Sequence, residues 1–258
     1  MRIIALTILV ALPALAQEKT LNCENHNNRE RITHCEIREQ PAAYSGRLSV
    51  DAGVNGGVSV KGWDNAGVLV RAKVETSAAD EATAAAIASQ VRVDVSAGQV
   101  SASGPWRSRE ESWSVSYEIF VPRHAGLNLK ANNGGINISD VQGNIQFQTK
   151  NGGVNLKRLA GDVEGSTMNG GLNIELAGAR WDGAKLDART TNGGVNLKMP
   201  ENYSAHLETA TVNGHLSMDL PVTMRGEIGK RLATDIGSGG ATIHVETTNG
   251  DVNVKRAM

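Results

Sequence analysis

The chain has 258 residues, with 26 Lys and Arg against 27 Asp and Glu and a formal net charge of −1. Its basic residues are scattered instead of gathered into a stripe, which argues against nucleic acid as a partner. Aromatic residues make up 3% of the chain while glycine alone contributes 29 residues; this composition argues against the thick core of a compact α/β enzyme and suits a thin fold filled by small aliphatic side chains.

The N-terminus reads as an export signal. Arg2 precedes an apolar run from Ile3 to Leu12, and Ala14-Leu15-Ala16 offers a small-x-small cleavage site. Residues 1–16 are expected to be removed, leaving a mature chain that begins near Gln17. The run is shorter than the ~20 residues a membrane helix needs, and no second run of that length follows. Cys23 lies well beyond it and follows the bulky Asn22, so no lipid anchor is expected. The expected destination is the periplasm, the cell surface or the medium.

Cys23 and Cys35 are the only cysteines. In an oxidising compartment such a pair reads as a disulfide, worth ~3 kcal/mol for a loop of this size. The rival is a metal site that adds His26 and His34, but its spacing, Cys-x2-His-x7-His-Cys, matches no standard zinc pattern.

From residue 41 to 126 the pattern is irregular. Leu48, Val50, Val58 and Val60 alternate as an opening rung, and Val68 to Val74 reads as a strand. Ser77 to Gln90 is Ala-rich, opens with a capping residue and suits a short helix. Ser103-Gly104-Pro105 and the charged run Arg107 to Glu111 mark an exposed loop. Ser114 to Val121 is an alternating strand closed by Pro122. This half is expected to cap the regular C-terminal repeats.

From residue 127 to 258 the chain repeats itself. Asn-Gly occurs at Asn55, Asn133, Asn151, Asn169, Asn192, Asn213 and Asn249, with spacings of 18, 18, 23, 21 and 36 residues from Asn133 onward. Six residues before the last six asparagines stand Leu127, Ile145, Val163, Leu186, Leu207 and Ile243. Two before stand Ala131 and then Thr149, Thr167, Thr190, Thr211 and Thr247. Apolar residues stand three and five places after each one, flanking a polar residue. This is alternation of period two on both sides of a turn, the mark of half-buried strands. Asn and Gly tolerate positive φ, which offers a reason for a sharp bend there. A meander of hairpins would not require the same residue at the same offset in every unit, whereas stacked rungs do. The expected fold is an all-β, right-handed parallel β-solenoid with Asn-Gly turn repeats and one short helix in the N-terminal half. The 36-residue gap before Asn249, with Gly237-Ser238-Gly239-Gly240, reads as a degenerate rung or a long loop.

Two outward columns are candidate surfaces. Asn137, Asn155, Asn173 and Asn196 would form a polar strip, and stacked asparagines stabilise a ladder on their own account. Five residues before the turn, Glu164, Asp187 and Glu208 occupy three rungs in succession, with Arg189 on the same face. Carboxylates ~4.8 Å apart are the best acid–base or calcium candidate in the chain. The plainer reading is a solvated face, on which removing the Asp187 charge relieves repulsion. No calcium-repeat pattern, nucleophile elbow, metalloprotease motif or phosphate loop is present. No catalysis and no cofactor are expected.

GWDNAGVLVRAKV, the Ala-rich helix, SVSYEIFVP and the NGGINI and NGGVNL rungs together resemble the bacterial putative-adhesin family of β-strand-repeat proteins, over roughly residues 45–258. The resemblance implies a right-handed β-solenoid, export and no known catalysis, and it supplies no active-site residues to carry over. The sequence therefore points to an exported structural, adhesive or envelope-associated binding module, with a cell-envelope component or a glycan as partner. The alternative is a carbohydrate-active β-helix enzyme or a calcium-dependent glycan binder.

Overall fold

The structure is a computed structural model that describes residues 19–23, 31–106, 108, 110–220 and 229–257. The expected export signal, the start at Gln17 and His26 lie outside the described residues. Within them the first half contains β1 (Ile32–Ala42), β2 (Arg47–Asp51), β3 (Val58–Trp63), β4 (Val68–Ala78), α1 (Glu81–Gln90), β5 (Arg92–Ser96), β6 (Gln99–Ser103) and β7 (Ser112–Pro122). Long and short strands then alternate: β8 (Gly126–Asn133), β9 (Ile136–Ser139), β10 (Gln142–Asn151), β11 (Val154–Lys157), β12 (Ala160–Asn169), β13 (Leu172–Glu175), β14 (Lys185–Asn192) and β15 (Val195–Met199). β16 (Ala205–Asn213), β17 (Leu216–Asp219), β18 (Arg231–Ile236), β19 (Thr242–Asn249) and β20 (Val252–Arg256) complete the chain.

Two sheets of ten strands face each other across one core. Each long strand joins one sheet and the short strand after it joins the other, in parallel register with its neighbours. The fold is all-β and solenoid-like. The inward columns read from the sequence close this core: Leu127, Ile145, Val163, Leu186, Ile243 and Leu207 are all buried, and Val154, Leu172 and Val195 pair on successive rungs with 0% exposure. Phe147 spreads over the space above Gly165, where a Cβ would strike its ring, and Trp181 plugs the longer loop with Nε1–H donating to Gly161 O at 2.9 Å.

Three expectations are corrected. First, the rungs do not stack in chain order. β19 lies between β14 and β16, and β20 between β15 and β17. The last rung in sequence is thus inserted below its predecessor, and the long gap before it contains β18, which returns antiparallel along the outer edge of β16. Second, the repeat asparagines do not have positive φ; among the described non-glycine residues only Ala97, Asp140 and Arg158 do. The glycines after them are required by closeness. A Cβ on Gly134, Gly152, Gly170, Gly193, Gly214 or Gly250 would overlap the carbonyl oxygen of the equivalent glycine one rung away. Third, the helix starts at Glu81, not Ser77, because Ser77 and Ala78 remain paired in the sheet. Asp80 is its N-cap, accepting from Thr83 N–H at 2.8 Å.

The threonine column solves a burial problem. Thr149, Thr167, Thr190, Thr247 and Thr211 are buried, and each hydroxyl donates to a glycine carbonyl of the preceding rung at 2.7–2.8 Å. The turn asparagines add a second ladder. Nδ2–H of each donates to Oδ1 of the one below, through Asn55, Asn133, Asn151, Asn169, Asn192, Asn249 and Asn213 in that order. At the N-terminal end the parallel stack gives way to antiparallel pairing of β1 with β4, β4 with β7, and β5 with β6.

Candidate functional site

On the outer face of the long-strand sheet, every second side chain points to solvent. Five residues before the turn the observed order is Asn128, Gln146, Glu164, Asp187, His244 and Glu208. The three acids expected in succession are therefore interrupted: Glu164 and Asp187 are neighbours, but His244 separates Asp187 from Glu208. Displacement of the last rung causes this, and no local sequence signal reports it.

The acids are also neutralised where they stand. Lys185 Nζ lies 2.8 Å from Glu164. Arg189 meets both oxygens of Asp187, from Nε at 2.9 Å and Nη2 at 3.0 Å, and His244 Nδ1 approaches Asp187 Oδ1 at 3.2 Å. His206 Nε2 lies 3.4 Å from Glu208. Burial acts to raise the Asp187 carboxyl, but the hydrogen bonds and charges of Arg189 and His244 outweigh it and hold the group below the usual carboxylate range. A general acid would need the opposite shift. The hydrogen bond from Lys185 to Glu164 raises the ammonium, and that from Arg189 to Asp187 raises the guanidinium. The cluster is thus a network of balanced ion pairs. Among the described residues no group of three or more His, Cys, Asp or Glu side chains is arranged to hold a metal ion.

Beside this network, nearer the turns, a groove of about 610 Å³ crosses the rungs. Lys130, Lys150 and Arg189 contribute its cationic walls, Asp51 and Glu246 its acidic ones, and Met168 an apolar one. Lys130 and Lys150 are exposed, and among the described residues no carboxylate pairs with either. The short-strand sheet presents the second expected surface. Asn155 donates to Asn137, Asn173 to Asn155, Asn196 to Asn173 and Asn253 to Asn196, at 2.6–3.4 Å. These amides bond to one another along the stack, so their hydrogen-bonding capacity is partly spent on the fold.

One polar cluster escaped sequence reasoning. Glu118 on β7 is 1% exposed and bonds to Arg71 of β4. Arg71 Nε also lies 3.3 Å from Glu39. The segment 19–23 lies over this pair: Thr20 N–H and hydroxyl donate to Glu118 Oε1 at 2.9 and 2.7 Å, and Leu21 N–H to Oε2 at 3.3 Å. Burial pushes the Glu118 carboxyl up, and the bonds from Thr20, Arg71 and Leu21 bring it below its ordinary value. The disulfide expected between Cys23 and Cys35 is present, with Cα atoms 5.7 Å apart, and ties this segment to β1. The available signal was the outward position of both charges on alternating strands, but their partnership depends on strand pairing.

The chain matches the Toastrack DUF4097 family over residues 35–255 and belongs to it. No curated protein matches the chain. Among solved structures it is similar to a putative cell adhesion protein from Clostridium sporogenes, with 11% identity, 86% of this chain and 100% of that one covered, and a TM-score of 0.43. A putative adhesin from Bacteroides fragilis gives 11% identity, 86% and 97% coverage and a TM-score of 0.40. A putative lipid binding protein from Parabacteroides distasonis gives 9%, 87%, 97% and 0.33. Among the described residues no helix is long and apolar enough to cross a membrane.

Proposed function

We propose that this chain is an exported, non-catalytic binding module that holds an anionic or hydroxyl-rich glycan of the cell envelope in the groove of the long-strand sheet. Residues 17–40 form an N-terminal disulfide segment, 41–126 the capping half and 127–258 the regular coil. The coil is right-handed, because parallel crossover connections overwhelmingly take that hand. The disulfide supports an oxidising destination. The observation that carries the reading is the pair of exposed lysines, Lys130 and Lys150, which face the groove and, among the described residues, form no ion pair with Asp51, Glu246 or any other carboxylate. Placed near solvent, they attract anionic groups in a salt-dependent way. The ion-paired Asp187 network, beside the groove, does not support the enzyme alternative.

The test is a binding screen of the oxidised mature protein against cell-wall and surface polysaccharides. At least one anionic glycan should bind, more weakly at high salt, and the Lys130→Glu/Lys150→Glu variant should lose that binding at an unchanged melting temperature. Binding that is indifferent to both charge reversals, or no binding to any envelope glycan, would overturn the assignment.

A further inference from the structure

Seven Asn-Gly pairs in one chain raise a chemical question that the stack itself answers. In any such pair the glycine nitrogen can attack the asparagine side-chain carbonyl carbon. The ring closes to a succinimide and Nδ2 leaves as ammonia. Water then opens the ring. Cleavage at the former side-chain carbonyl yields aspartate, and cleavage at the main-chain carbonyl yields isoaspartate. The reaction needs a glycine nitrogen free to lose its proton and a side-chain amide free to rotate onto it.

Most rungs deny both. Gly56, Gly152, Gly170, Gly193 and Gly250 donate their N–H to the asparagine carbonyl of the next rung, at 3.3, 3.0, 2.9, 2.9 and 3.1 Å. Each asparagine before the last also has its Oδ1 held by the Nδ2–H of the next in the ladder, at 2.7–3.0 Å. Gly134 N–H, like that of Gly214, meets no backbone acceptor among the described residues, but Asn133 is fixed at both ends of its amide, donating to Asn55 and accepting from Asn151. Asn213 stands on the final rung. Its Nδ2–H donates to Asn249 Oδ1 at 2.7 Å, but no further asparagine follows. Among the described residues no donor meets its Oδ1 and no acceptor meets the N–H of Gly214. Its side chain is exposed.

We propose that Asn213-Gly214 is a site of spontaneous conversion to aspartate and isoaspartate in the folded protein, and that the stack suppresses the same reaction at the other six pairs. The product places a new carboxylate one rung from Asp251, which already accepts from His215 N–H at 2.8 Å. It also removes the terminal donor of the ladder, and isoaspartate lengthens the backbone by one methylene at the turn joining β16 to β17. The terminal rung therefore loosens as the exported protein ages, while the interior is preserved.

The experiment compares the oxidised mature protein, native and in denaturing urea, during incubation at mildly alkaline pH, with peptide mass mapping of all seven pairs. In urea all seven should convert at similar rates, because each asparagine is followed by glycine. In the native protein Asn213, held only by its one amide bond to Asn249, should convert ahead of the six others, which slow by more than about tenfold, the factor that ~1.4 kcal/mol of local opening free energy sets. Asn213→Gln should remove the fast native conversion. Native conversion spread evenly over the seven pairs, or an interior asparagine converting ahead of Asn213, would overturn the proposal.

Discussion

Replacing Gly170 with alanine separates two explanations for the repeat glycines, because they predict opposite signs. The φ of Gly170 lies outside the left-handed region. If backbone freedom were its only role, alanine would stiffen the unfolded chain and stabilise the protein by about 0.4–1 kcal/mol. The packing says otherwise. A Cβ there would overlap the Gly152 carbonyl oxygen and sit 2.8 Å from Gly153 N, and both neighbours are backbone atoms of a rung that cannot retreat alone. Relief requires the rungs to part, which weakens the Gly152 N–H bond to Asn169 O at 3.0 Å, the Thr167 bond to Gly152 O at 2.8 Å and the Asn169 bond to Asn151 at 2.7 Å. At up to ~1 kcal/mol for each of the three bonds and ~1–3 kcal/mol for overpacking, the expected cost is about 4–6 kcal/mol. Gly178→Ala is the control. Its φ is +76° and the nearest atom to a Cβ is 4.0 Å away, so only left-handed strain of ~1–2 kcal/mol applies. Urea unfolding followed by far-UV circular dichroism and by tryptophan fluorescence gives both values, and agreement of the two probes checks cooperativity in a stacked fold. A Gly170→Ala protein as stable as the parent, or less affected than Gly178→Ala, would refute the close-approach argument.

Leu172→Asp should unfold the central rungs, at a cost of at least about 3 kcal/mol for an uncompensated buried charge, seen as rapid proteolysis; full stability would mean the register is off by one residue. Asp187→Asn should destabilise by roughly 0.5–1 kcal/mol through loss of its bonds to Arg189 and His244, the reverse of the relief expected from a bare acidic column, and millimolar calcium should leave the melting temperature of both proteins unchanged. Glu118 has a lowered carboxyl pKa in the folded state, so its contribution is present above the unfolded value of ~4.3 and is lost as pH falls through the folded value. The melting-temperature gap between the parent and Glu118→Gln should accordingly be widest at neutral pH and shrink on acidification; a gap constant with pH would show that the Thr20–Arg71 clamp does not depend on its charge.

The rung is legible along the chain. Alternation over Leu186, Ala188 and Thr190, a break at Asn192-Gly193, and renewed alternation over Val195 and Leu197 define which side chains enter the core, because side-chain direction in a strand depends only on position along it. The same logic placed the outward Asn137–Asn196 strip, whereas the cysteine pairing followed from the expected oxidising compartment. The order of rungs is set by long-range strand pairing. Identical columns make every rung a chemically acceptable neighbour for every other, so pairing preference carries no information about succession; the return of β18 along β16 accompanies the seating of the Asn249 rung beside that of Asn192. From that one non-local choice come the His244 that divides the acids and the exposed end at Asn213. The reason for the glycines was likewise invisible, since Gly170 and Gly178 are the same letter while one meets the backbone of another rung and the other only a strained torsion. Nor could the Glu118–Arg71 pair be read along the chain, because its burial depends on β7 lying beside β4 and on residues 19–23 lying over both.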